Sequence, residues 1–196
     1  MCYLFVLFYS IQAACDSQCR FVYMNCLSPG STNDVVAYRR SGLPDKVEAL
    51  PLTRYVIGDN AYTPTEHLLT PFSGSEKDDP AKDAYNFYVS QVRIRIETCF
   101  GRLVSKWRIL KTPLCMKLKN ATRIIYACTR LHNFCINEGD TVTDTDSEQT
   151  IELPAEYYQQ RGRGLQGQSQ MREIVLEKVN SKGLSGPLYN VIRNKY

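Results

Sequence analysis

The sequence predicts an α/β protein in which a mixed sheet is flanked by helices. Three observations carry this. "YSIQAAC" and "RFVYMNC" are rich in β-branched and aromatic residues and flank a connection containing "DSQ", which reads as an antiparallel hairpin. "RYVIGDNAY" is a short apolar strand that runs into a Gly-Asp-Asn turn. From Ala84 to about Leu110 one apolar stripe holds Val89, Val92, Ile96, Cys99, Phe100, Leu103, Trp107 and Leu110 within about 60° of a line at 100° per residue, which predicts a long amphipathic helix. Strands followed by long helices give a layered α/β arrangement.

In order along the chain, "MCYLFVLFYSIQAAC" has an apolar run without a basic leader, too short to span a membrane as a helix. Its Tyr, Phe and Val content predicts one buried strand continuing into "YSIQAAC". "SPGSTND" is a turn-rich loop, and "DVVAYRRSGL" is a short helix capped by Asn33 or Asp34. "TPFSGSEKDDPAKD" reads as a polar loop before the long helix, and Pro113 follows that helix's end. "NATRIIYACTRLHNFCINEGD" predicts a helix capped by Asn120 and stopped near Gly139. "TVTDTDSEQT" and "QQRGRGLQGQSQ" have the composition of linker, and "QMREIVLEKVNSKGL" predicts a short terminal helix. The expected organisation is residues 1–139 as one domain, 140–168 as an acidic and polar disordered linker, and 169–196 as a short helix and tail.

Length bounds the chain to one domain with a sizeable core plus a tail: 196 residues, 43% hydrophobic and 22% charged. The net charge of +4 is mild, but its distribution is not. Arg93 to Arg123 holds nine Lys or Arg against Glu97 alone, while Asn137 to Glu156 holds seven acids and no base. That asymmetry suits a polyanionic partner; a solvated basic face is the alternative. The eight cysteines form no tight framework, and Cys99, Cys128 and Cys135 fall in apolar helical patterns, so reduced thiols and an intracellular protein are expected.

Two carboxylates stand out. Asp59 ends a strand, where α/β sheets place their sites, although an Asp before Asn60 also suits a plain turn. Glu97 lies about 100° from the stripe's centre, at the border of the buried face, with Asn86, Ser90, Arg93, Val104 and Arg108 on the same flank. Arg93 and Glu97 are four apart and could be no more than a helical ion pair. Together, a strand-end and a helix-border carboxylate can converge on Mg²⁺ or Mn²⁺, which want hard oxygen ligands and few protein groups. Asp16 falls at a hairpin tip. Cys128, His132 and Cys135 share a helix face without a paired CxxC, which favours core packing over zinc. His67 reads as a surface or loop residue. No phosphate-binding glycine loop, dinucleotide fingerprint or Ser-His-Asp order is present, so no small-molecule cofactor and no membrane partner are expected.

The segments "GDNAY", "LLTPF", "NFYVSQVRIRIETCFGRLVSKWRIL" and "ACTRLHNFCI", with "SIQAACDSQCRF" and "PGSTNDVVAY", resemble the PIF/Harbinger transposases and the Harbinger transposase-derived nucleases over about Tyr9 to Asp140. The resemblance implies a DDE nuclease domain with an RNase H-like fold, divalent metal, DNA as substrate, and a nuclear location. Asp59 of "GDNAY" matches the family's second catalytic Asp, and Glu97 of "RIRIETCFG" matches its Glu. The family's first Asp lies in a "DGTH"-like motif that does not occur here. An N-terminally truncated copy lacking the central first strand is therefore expected, with Met1 to Phe8 no substitute for it, and with weak or no cleavage. The family's helix-turn-helix DNA-binding region is also missing, which leaves room for a separate DNA-binding partner protein. Asp34 is a weak third metal candidate, its other role being the helix cap. Arg93, Arg95, Arg102, Lys106 and Arg108 are candidate DNA-backbone contacts. The rival expectation is a non-catalytic DNA- or protein-binding module.

Overall fold

Alternation sets the faces of the central strand. In β2 (Tyr9–Cys15), Ile11 and Ala13 are fully buried in the main core, while Ser10 and Gln12 are buried on the opposite face. The computed structural model describes residues 2–6, 9–51, 53–139 and 169–185; the expected linker and the last eleven residues lie outside them. β2 pairs antiparallel with β1 (Cys2–Val6) on one side and β3 (Phe21–Pro29) on the other. The N-terminal segment is thus two strands, not one. The chain reverses between Val6 and Tyr9, so the apolar run pairs with the sheet instead of extending past it.

Asp16 makes the β2–β3 turn. Its Oδ1 accepts from the backbone N–H of Gln18 (2.9 Å) and Arg20 (3.0 Å), and its Oδ2 pairs with Arg20 Nε at 2.8 Å. Burial works to raise its pKa, and these bonds outweigh it, holding the carboxyl below its ordinary value.

α1 (Asp34–Arg40) is capped by Asn33, whose side chain accepts from Val35 N–H. α2 (Leu43–Glu48), unexpected from the sequence, starts at Gly42 in the left-handed region (φ 71°) with a proline in its first turn. The Ser41 carbonyl between them accepts from Tyr23 Oη and Asn25 Nδ2 of β3, fixing both helices to the sheet.

β4 (Val56–Ile57) runs parallel to β5 (Leu68–Leu69) as a separate two-stranded sheet, so among the described residues the expected mixed sheet is split into an antiparallel and a parallel part. Packing there is close: a Cβ on Gly58 would stand 3.0 Å from Leu68 Cδ1. His67, expected at the surface, is buried with Nδ1 3.0 Å from the Arg54 carbonyl.

α3 (Pro80–Lys106) begins a turn before the expected Ala84, because Asp79 caps it and Pro80 suits the first position. It gives way at Trp107 to a 3₁₀ turn, Arg108–Lys111. Its stripe buries Val89, Ile96, Cys99, Phe100 and Leu103 as expected. Val92 is 59% exposed, and flanking Val104 is buried, because neighbours pack on several sides of this helix. α4 (Leu118–Asn137) has Lys117, not Asn120, at its cap position, with no side-chain cap bond. A polar row binds it to β3: Thr122 Oγ1 donates to the Cys26 carbonyl (2.9 Å), Tyr126 Oη to that of Met24 (3.1 Å), and Asn133 Nδ2 to that of Phe21 (2.8 Å). His132 Nε2 lies 2.9 Å from the Cys19 carbonyl, and its ring packs on Phe21 with centroids 5.2 Å apart.

α5 spans Gln170–Ser181. It lies along α3, with Leu176 packed among Phe72, Tyr85 and Val89. The Glu66 carboxylate accepts from the N–H groups of Gln170 and Met171, where the helix dipole favours negative charge. No helix among the described residues is long and apolar enough to cross a membrane. The seven cysteines other than Cys2 are free thiols.

Candidate active site

Asp59 follows β4 because the parallel pairing stops there. Gly58 N–H donates to the Leu69 carbonyl (2.8 Å), and the chain then turns, with Tyr62 N–H donating to the Asp59 carbonyl at 3.1 Å. Asp59 Oδ1 accepts from Ala61 N–H at 3.3 Å, so the plain turn role is real. It occupies one oxygen only. The other, Oδ2, faces α3 and lies 3.2 Å from Arg93 Nη1. Tyr62 is fully buried and donates to Gln12 Oε1 of β2 (3.1 Å), which ties the turn to the three-stranded sheet.

Glu97 comes to the same place from the helix. Its Oε1 lies 3.3 Å from the same Arg93 nitrogen. The helical ion pair weighed in the sequence therefore exists, and it is half of a three-membered arrangement. Two carboxylates from different elements share one guanidinium nitrogen. The Asp59 and Arg93 side chains are 10% and 12% exposed, and that of Glu97 is 46% exposed. The buried end is therefore at the strand and the open end at the helix.

Asp34 is near enough to Asp59 for the two charges to interact. Asn33 takes the cap, so Asp34 is left in the first turn of α1 with its carboxyl uncommitted to that role. Burial, and the negative charge of Asp59 beside it, push its pKa up to about 6. No group of three or more His, Cys, Asp or Glu side chains able to hold a metal ion occurs among the described residues. The donor set is instead two hard carboxylates around a point already held by positive charge. That suits a cation such as Mg²⁺, which takes one or two protein carboxylates and completes its shell with water and phosphate oxygens.

The five basic candidates divide. Arg93 is drawn into the carboxylates. Arg95 and Arg108 are exposed. Arg102 and Lys106 are half-buried toward α4, where their charges help lower the pKa of His132, itself lowered chiefly by burial. The sequence placed Arg93 beside Glu97 but gave no signal that it reaches Asp59. The Gln12 to Tyr62 link went unseen, since nothing local marks a contact across fifty residues.

The elements and the acid pair define a mixed α/β domain with a carboxylate site where a short parallel sheet meets a long helix. A family model described as DDE superfamily endonuclease matches residues 3–133. The chain belongs to that family, in agreement with the PIF/Harbinger resemblance. Protein ALP1-like from Arabidopsis thaliana is 30% identical over 150 residues, covering 69% of this chain and 37% of its own length. HARBI1, named as a nuclease, is 30% identical in Bos taurus and 29% identical in Homo sapiens over 146 residues, covering 72% of this chain and 41% of its own. The chain thus spans about two fifths of the length of these curated relatives. No solved structure matches it.

Proposed function

We propose that this chain is a metal-dependent nuclease domain of the DDE type, with an RNase H-like arrangement, acting on DNA phosphodiesters in the nucleus. The observation that carries the reading is the convergence of Asp59 and Glu97 on one cationic nitrogen. These are the two residues that match the family's second Asp and its Glu. Asp59 and Glu97 would hold Mg²⁺ or Mn²⁺, with Asp34 as the candidate third carboxylate. A metal bound there supplies activation of water or a DNA 3′-hydroxyl and neutralises phosphate charge. The protein's own part is to fix Asp59 by its turn and Glu97 by its helix. Arg95 and Arg108, both exposed, are the candidates to meet the DNA backbone, and their contribution is expected to fall with salt.

With no counterpart of the family's first Asp in a "DGTH"-like motif, cleavage by this chain alone is expected to be weak. A nuclease assay on the purified chain with Mn²⁺ tests this. Robust cleavage that Glu97→Gln abolishes would refute weak activity and establish the site. A second reading, a DNA- or protein-binding module without catalysis, is favoured by Arg93, which neutralises part of the acid pair. Salt-dependent DNA binding without cleavage would select it, and a separate partner protein would then supply sequence recognition. Absence of DNA binding at moderate salt would sink both.

A further inference from the structure

Arg93 was a candidate DNA-backbone contact, yet its side chain is 12% exposed and donates from one nitrogen toward two acids on different elements. A surface ion pair four residues apart leaves its basic partner solvated. Here the basic partner is the buried member, and the acid on its own helix is the exposed one. Asp59, 7% exposed, requires compensating positive charge in that setting. The nitrogen therefore sits where a cation bound by both carboxylates would belong, and like charges cannot share that point.

We propose that Arg93 is the resident counter-ion of the Asp59 and Glu97 pair, and that a divalent cation must displace it to bind. This rests on the metal reading given above. In the exchange the carboxylates pass from a monovalent to a divalent partner, and the displaced nitrogen can turn to a phosphodiester oxygen. The site is then partly neutralised before metal binds, and metal affinity is set partly by the cost of expelling Arg93.

The test is a Mn²⁺ titration of the full chain, followed by the electron paramagnetic resonance of free Mn²⁺ at constant ionic strength. Arg93→Gln, which can still donate to Asp59, is expected to bind Mn²⁺ about tenfold tighter than the unaltered chain, equivalent to about 1.4 kcal/mol. Lys119→Gln, an exposed residue on α4, controls for net charge and is expected to stay within about twofold. Asp59→Asn and Glu97→Gln are expected to weaken binding in either background. If those two weaken it but Arg93→Gln does not tighten it, displacement is wrong and the metal reading stands. If neither acid variant alters Mn²⁺ binding, the metal reading falls and takes this inference with it. Should Arg93→Gln fail to fold, the unaltered chain decides: the Arg93 Nε–H signal in a nitrogen-proton NMR spectrum is expected to move on adding Mg²⁺. A signal unmoved at saturation overturns the proposal.

Discussion

Phe21 and Phe72 are held alike at the backbone and differently at the ring. Asn133 of α4 accepts from Phe21 N–H (2.8 Å) and donates to its carbonyl (2.8 Å). Asn86 of α3 does the same for Phe72, at 2.7 and 3.0 Å. The Phe21 ring lies among rings, with Phe100 at 5.3 Å and His132 at 5.2 Å. The Phe72 ring meets Tyr85 at 5.0 Å, and the Arg172 guanidinium lies over it at 3.5 Å, with Lys82 at 5.0 Å. The first clamp closes the main core between sheet and helices. The second fastens α5 to α3 through a buried, cation-faced aromatic in a smaller cluster than the main core. A helix asparagine can therefore fix a non-helical segment anywhere, while its neighbours decide whether that segment belongs to the core or to a fastening.

The comparison breaks most sharply at the rings. Phe21→Ala is expected to lower global stability by about 3–5 kcal/mol in urea unfolding, the usual cost of emptying an aromatic site in a core. Phe72→Ala is expected to act first on α5, as faster amide exchange over residues 170–181 before global unfolding. A Phe21→Ala cost below about 1 kcal/mol would contradict the core assignment. The next effect is at the clamps. Asn133→Ala strands two polar backbone groups inside the core and is expected to cost about 2–3 kcal/mol. Asn86→Ala is expected to cost about 1–2 kcal/mol, since the segment it holds packs in the smaller cluster under α5 and not in the main core. Equal costs would erase the distinction between core and fastening.

The smallest effect is in pH and touches only the first region. Burial, aided by the charges of Arg102 and Lys106 and opposed by the Cys19 carbonyl, lowers the His132 pKa from its ordinary 6.5. The unfolded chain therefore takes up that proton first as pH falls. The stability contributed by neutral His132 is fully present above about pH 6.5 and is lost as pH drops through the folded value. Urea midpoints at pH 7 and pH 5 are expected to differ less in His132→Gln than in the unaltered chain.

What the sequence made legible follows the same divide. The β2–β3 hairpin, α3 and α4 were readable because period and turn chemistry are local: "YSIQAAC" is β2 to the residue, and Gly139, at φ 75°, closes α4 as expected. α2 was missed because six residues opened by Gly42 carry too short a period to register. Val92 and His67 were misplaced because burial depends on which neighbours arrive, and those neighbours are distant in sequence. At the site, the two acids were found by position and by resemblance. The bridge by Arg93, and the nearness of Asp34 to Asp59, were not, since both cross between elements.

α3 carries Asn86, Arg93, Glu97 and Phe100 on one unbroken helix of 27 residues, about 40 Å long. Each added or lost residue turns everything beyond it by about 100° and shifts it about 1.5 Å. A single-residue insertion between Arg93 and Glu97 would swing the acid away from Asp59 while leaving every side chain's chemistry intact. This stretch should therefore tolerate substitution far better than any change of length, and a length change there would silence the site without leaving a mark in composition.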